Sequence, residues 1–265
     1  MVGDALCRLT GCRTARQSWL SLFSPAERIG IKVNALGGRH ICTRPELVYA
    51  VVDHLTACGV PPRNIIIWDR LTRELHHAGY PVQTSPDRLR CFGTDNEYEF
   101  EPEFSGSIGS CFSRILTRHC DAIISIPVLK DHDLAGVSLN LKNFYGVIHN
   151  PNKYHDNGCD PYIADLNAHP HIRQKLRLCI IDGLRSHYNG GPGFKPRWSH
   201  DFKTLLFSLD PVAADSIGAA EIEKQRIRKD LPLLKETGRD PVHIRTAARK
   251  GLGTADLGQI EKIIM

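Results

Sequence analysis

Apolar and polar positions alternate along this chain in two distinct rhythms. The run "RIGIKVNAL" (28–36) is short, apolar and rich in β-branched side chains, and it gives way to Asn34, Gly37 and Gly38. A run of this kind bounded by turn residues predicts a buried strand. In "TRPELVYAVVDHLTACG" (43–59), Leu47, Val48, Val51, Val52 and Leu55 recur at helical spacing, with Pro45 near the first turn and Gly59 at the end. That pattern predicts a helix. "NIIIWDR" (64–70) then predicts a second buried strand ending at Asp69. Strand, helix, strand with unbroken apolar strands is the mark of a parallel sheet covered on both faces.

The same reading carries through the rest of the chain. It predicts a short helix in "LTRELHHAGY" (71–80), short strands near Arg88–Phe92 and Tyr98–Phe100, and a helix over 111–119. "DAIISIPVLK" (121–130) predicts the clearest strand of all, followed by a long glycine-punctuated loop over 130–160 whose part 136–148 has helical character. Beyond it come a helix over 161–168, a strand in "LRLCIIDG", a glycine loop in "NGGPGF" and a strand in "TLLFSLD". Helices over 211–225 and 241–249 and a terminal strand in "IEKIIM" complete the prediction. The expected fold is α/β: a largely parallel, twisted sheet flanked by helices, with a glycine-bearing loop region inserted after a central strand. Residues 1–265 are expected to form one domain, with 1–25 as an N-terminal extension and 130–160 as a functional loop region.

Composition narrows the function classes. The chain has 265 residues, 42% hydrophobic and 24% charged, with a formal charge of +5. Those are ordinary globular proportions, and no run of five or six basic residues points to nucleic acid. The nine cysteines (7, 12, 42, 58, 91, 111, 120, 159 and 179) form no CxxC pair. No iron–sulfur cluster or zinc ribbon is therefore expected, since both need closely spaced thiolates. No stretch approaches the roughly 20 apolar residues that span a bilayer, so no membrane insertion is expected.

Candidate chemistry concentrates where predicted strands end, which is where ligands bind in open α/β sheets. Lys32 and Asn34 end the first strand, Lys130 and His132 follow the strand in "DAIISIPVLK", and Asp182 follows "LCII". Asp210, just before "PVAADSIG", reads more readily as a helix cap. Lys32, Lys130 and Lys142 together could neutralise a phosphate or carboxylate, Gly136 and Gly146 would let the backbone approach it, and Gly191 stands in a loop placed to line its pocket. Asn34 and Asn143 would orient such a ligand. His132 is the expected general acid or base, assisted by Lys130, because its ordinary pKa lies near physiological pH. His149, His155 and Asp160 lead a pool of metal-ligand types that also holds Cys159, Asp165, His169 and His171, and they would suit a divalent transition metal. No HExxH spacing supports that metal.

The order of motifs carries more than any single one. "LFSPAERIGIKVN", "TRPELVYAVVDHLTACGV", "DAIISIPVLKDHDLAGVSLNLKNFYGVI", "CIIDGLRSHYNGGPGF", "SLDPVAADSIGA" and "AARKGLG" together resemble the DUF362 family, a family of unknown function. The resemblance runs from about residue 15 to the end of the chain. Its most specific part is Lys130-x-His132 followed by Lys142, Asn143 and Gly146. Some DUF362 members carry ferredoxin-like iron–sulfur domains, which implies a redox association. Others begin with a twin-arginine signal, which implies export if such a segment precedes this sequence and a cytoplasmic location if none does. Two functions are thus expected as alternatives: an enzyme that binds an anionic small molecule at the strand ends, metal-assisted or redox-linked, or a non-catalytic metal- or cofactor-binding accessory protein for a redox partner.

Overall fold

The computed structural model describes all 265 residues of the chain. Five strands form its parallel frame: β1 (Ile29–Val33), β2 (Ile65–Trp68), β3 (Arg90–Cys91), β6 (Ala122–Ile126) and the long β9 (Leu176–His187). A small hairpin, β4 (Glu103–Ser105) and β5 (Ile108–Ser110), stands apart from the main sheet. β7 (Val128–His132) runs parallel to β9, and β8 (Gly136–Ser138) pairs antiparallel with β7. β10 (Ser199–His200) and β11 (Thr204–Ser208) pair antiparallel with β9.

The apolar rhythm explains the layers. In β1, Ile29, Ile31 and Val33 join Ile65, Ile67, Ile124 and Ile180 in a core on one face of the sheet, while Ile66, Trp68, Ile123, Cys179 and Ile181 belong to a core on the other. Strands buried on both faces need apolar side chains at every position, which is why the sequence shows unbroken runs there. The first core is covered by α1 (Val2–Thr10), α2 (Ala15–Leu22), α3 (Pro45–Ala57) and α4 (Thr72–Ala78). The second is covered by α5 (Asn140–Asn143), α6 (Tyr162–Ala168), α7 (Pro170–Arg173), α8 (Pro211–Ile227) and α9 (Val242–Arg249).

Several expectations change. The strand expected over 121–130 is interrupted at Pro127, so β6 and β7 follow one another along the same edge of β9; Asp182 N–H bonds the Pro127 carbonyl at 2.8 Å across the break. The region 130–160 is a packed structure rather than an open loop: the β7–β8 hairpin, α5 and three 3₁₀ turns at 144–147, 151–154 and 156–159. Residues 1–25 are an integral layer, because Leu6, Trp19 and Phe23 are buried in the first core. Tyr98–Phe100 forms no strand; Tyr98 makes only an isolated antiparallel bridge to Ser113. The expected strand in "IEKIIM" is absent: no partner strand lies beside it, and Ile264 is 92% exposed.

Candidate functional site

At the carboxyl ends of β1, β2 and β7 the chain leaves a cavity of about 470 Å³. Its lining is mostly polar and includes Asn34, Arg70, His132, Lys142 and His155. The floor is built first. Lys32 points up from β1 and is 1% exposed; its ammonium donates to Asp69 Oδ1 at 2.6 Å, the Val33 carbonyl at 2.7 Å and Asn143 Oδ1 at 3.1 Å. An ammonium has three N–H donors, so none is left for a ligand. Asn143 is equally committed, its amide donating to the Lys32 carbonyl and to Ser125 Oγ, both at 3.1 Å. Gly146 belongs to the same structure: a Cβ there would lie 3.0 Å from both Asp69 Oδ1 and Lys32 Nζ. Lys32, Asn143 and Gly146, expected as ligand contacts, line the cavity and form the knot that ties α5 to the strand ends.

The walls hold the free chemistry. Lys130 is fully buried behind Asn34, whose Oδ1 it meets at 2.7 Å, and burial pushes its amine down to about 8. Lys142 Nζ lies 3.0 Å from His155 Nε2, 3.8 Å from Cys159 Sγ and 4.0 Å above the Tyr145 ring. Burial likewise pushes Lys142 down to about 8, and no carboxylate lies within 4.0 Å of it. The Pro151 carbonyl, 3.0 Å from His155 Nδ1, can only accept, so Nδ1 carries the proton and Nε2 is free to receive one from Lys142.

His132 has the opposite tautomer. Its Nδ1 accepts the backbone N–H groups of Leu134 at 3.1 Å and Ala135 at 3.3 Å, which leaves the proton on Nε2. Asp133 Oδ1 lies 3.0 Å from the same Nδ1, but a nitrogen already accepting two N–H groups forms no ion pair there. Burial, with Lys142 and His155 nearby, pushes His132 down to about 2. It is therefore a neutral N–H donor, whereas His155 Nε2 is the imidazole nitrogen on this cavity that can accept a proton.

Arg70 is the cavity residue the sequence reading passed over. It follows Asp69 directly at the end of β2, lines the cavity, and has a buried Nε without any partner. Its backbone N–H donates to Asp69 Oδ1 at 2.8 Å, while its guanidinium makes a long contact from Nη2 to the His149 carbonyl at 3.4 Å and lies beside the Tyr98 hydroxyl. The second predicted strand ends at Asp69, and the strand-end rule applies equally to its neighbour. Glu74, which burial raises, and Asp133 add carboxylates to the same lining.

Other expected residues lie elsewhere. Asp182 is buried in a second cleft beside Arg39, Arg44 and Arg185, and its carboxylate accepts the Arg44 and Leu184 N–H groups at 2.8 and 3.1 Å. It fixes the entry to α3. Gly191 packs against Asp131, donating its N–H to Oδ1 at 2.9 Å, and a Cβ there would fall 2.2 Å from the Asp131 carbonyl oxygen. Asp131 also receives His187 Nδ1 at 2.9 Å and Arg239 at 3.1 Å, a network of two buried residues and one partly buried arginine that the sequence did not reveal.

His149, His155 and Asp160 do not converge as metal ligands. The one group of three ligating side chains within 4.8 Å of each other is Glu103, His169 and His171. There Glu103 faces His169 Nε2 at 3.4 Å and His171 Nε2 at 2.9 Å. His169 Nδ1 accepts the His171 N–H at 3.3 Å, so its proton sits on the Nε2 that faces Glu103, whose carboxylate is hydrogen-bonded to His171 Nε2.

Fold and site together define an α/β protein with a mostly parallel, mixed sheet and a polar cavity at the carboxyl ends of its parallel strands. Residues 29–220 match the family described as "Domain of unknown function (DUF362)", well over half of the chain, and the chain belongs to that family. No curated protein and no solved structure matches it.

Proposed function

We propose that this cavity binds a small anionic molecule, with Arg70 as its principal charged contact, and that the protein is an enzyme acting on that molecule. The observation that carries the reading is the placement of Arg70, an incompletely paired guanidinium, on one cavity with Lys142, His155 and the His132 N–H donor. An arginine fork matches carboxylate and phosphate geometry, and burial strengthens such a contact. A neutral imidazole N–H held in place is suited to hydrogen-bond a substrate oxygen, and a second imidazole free at Nε2 is suited to move a proton. A scaffold has no use for this division of labour.

A screen of small carboxylates and phosphates for thermal stabilisation tests the reading. At least one compound should raise Tm in the wild type and lose most of that effect in Arg70→Met. A panel that stabilises neither protein, or both equally, overturns it. The accessory-protein alternative predicts instead that the purified protein retains a metal or cofactor near one equivalent and turns over none of the bound anions.

A further inference from the structure

Lys142 combines features that simple charge neutralisation does not require. It lines the cavity, lacks a carboxylate partner, and directs its amine at a histidine nitrogen whose tautomer is fixed as an acceptor by the Pro151 carbonyl. Surface lysines are strongly hydrated cations, whereas a desolvated lysine next to a proton acceptor is the arrangement that makes an amine nucleophilic. On the same wall, His132 presents an N–H with no partner in the protein, and its ring stacks on His155 with centroids 5.7 Å apart. A neutral imidazole N–H is a good partner for a carbonyl oxygen because it polarises the bond without giving up its proton. Arg70 lines the same cavity and suits a carboxylate.

We propose that Lys142 is a nucleophile that forms a Schiff base with the carbonyl carbon of a 2-oxo acid, whose carboxylate is held by Arg70. The inference rests on the anion-binding reading above and names its substrate class. The uncharged Lys142 nitrogen attacks the carbonyl carbon, forming a C–N bond as the C=O π bond opens onto oxygen. One nitrogen proton passes to His155 Nε2 and from there to the oxygen, hydrogen-bonded by His132, which becomes the carbinolamine hydroxyl. The second nitrogen proton then passes through His155 Nε2 to that hydroxyl, which leaves as water while the electron pair left on nitrogen closes the C=N bond. The net change is amine plus ketone or aldehyde giving imine plus water, with no oxidant or reductant. Burial supports the step by leaving about a tenth of the Lys142 amine uncharged at pH 7, where an exposed lysine is almost wholly protonated.

The test is reductive trapping. The protein is incubated separately with glyoxylate, pyruvate and 2-oxoglutarate, treated with borohydride, digested and mapped by mass spectrometry. A single reduced adduct on Lys142 is expected with at least one of the three, at about tenfold or more the level on the exposed Lys153. It should be absent from Lys142→Arg and Lys142→Met, each checked for folding by circular dichroism. His155→Gln should slow the trapping by about tenfold or more, as loss of a positioned base does. No Lys142 adduct with any of the three, or labelling no higher than at Lys153, overturns the proposal. Lactate, an anion without the carbonyl, separates the two readings. If lactate or a 2-oxo acid stabilises the wild type through Arg70 but nothing is trapped, the nucleophile fails and the anion site stands; if nothing binds and nothing is trapped, both fail.

Discussion

Single side chains in this molecule take their roles from what already surrounds them. Lys32 is an ion-pair partner because Asp69, Val33 and Asn143 use all its donors. Removing one member of a buried pair strands the other charge, so Asp69→Ala should lower unfolding free energy by about 3–5 kcal/mol in urea denaturation. Lys32→Met combined with Asp69→Leu should recover much of that loss. Histidine 243 is a second case: it is fully buried, neither ring nitrogen has a partner, and burial, with Lys142 nearby, pushes it down to about 3. Its folded pKa lies below the unfolded value of about 6.5, so the unfolded chain gains the proton first as pH falls. Its contribution is present above pH 6.5 and is lost on going down towards pH 3, by about 1.4 kcal/mol per pH unit. His132, pushed down to about 2, acts in the same direction. His243→Leu should make the stability curve between pH 6.5 and 5 shallower by one histidine's share, and an unchanged slope would show that the site admits the proton. None of these assignments was legible in the sequence, because a lysine's spare donors and a histidine's tautomer depend on residues up to 111 positions away, as with Lys32 and Asn143.

Elements were easier to read than side chains, and the reason is periodicity. β1, β2, α3 and α8 stand where their apolar spacing placed them, since burial on two faces or on one helical stripe leaves a regular mark. Where a proline interrupts pairing or short turns are held by long-range contacts, the mark is lost. Pro127 splits one apparent strand into β6 and β7, and the segment 130–160 folds tightly although its glycines look like a loop. Helix ends are governed by local chemistry and so were legible: Asp210 caps α8, accepting the Val212 and Ala213 N–H groups at 2.8 and 2.9 Å. It also accepts Thr254 N–H at 2.8 Å, tying the C-terminal segment to the helix. Asp210→Ala should cost about 1–2 kcal/mol by thermal or urea unfolding, and Asp210→Asn or Asp210→Ser should cost less. The Asp182 carboxylate performs a related task at the start of α3 from a strand 138 residues away, which no local signal could announce.

At the scale of the whole molecule, the parallel sheet determines where chemistry can occur. Strands β1, β2 and β7 all deliver their carboxyl ends to one side, and the packed 130–160 region roofs that edge, which is why a cavity exists there at all. The strand-end rule pointed to this edge from sequence: Asn34 and His132, which it selected, line the cavity, and Lys130 lies behind Asn34. It could not separate the groups that build the floor from those that stay free, and it passed over Arg70 beside the more conspicuous Asp69. The second cleft, with Arg39, Arg44 and Arg185 around Asp182, gives a control of similar charge in the same molecule. The most direct measurement is a calorimetric titration of the best stabilising carboxylate or phosphate into the wild type, Arg70→Met and Arg44→Met. One site per chain in the wild type and Arg44→Met, weakened in Arg70→Met by the roughly 1.5–3 kcal/mol of a charged hydrogen bond, is the predicted result. Binding unchanged in Arg70→Met, or lost in Arg44→Met, would contradict the assignment of the cavity as the ligand site.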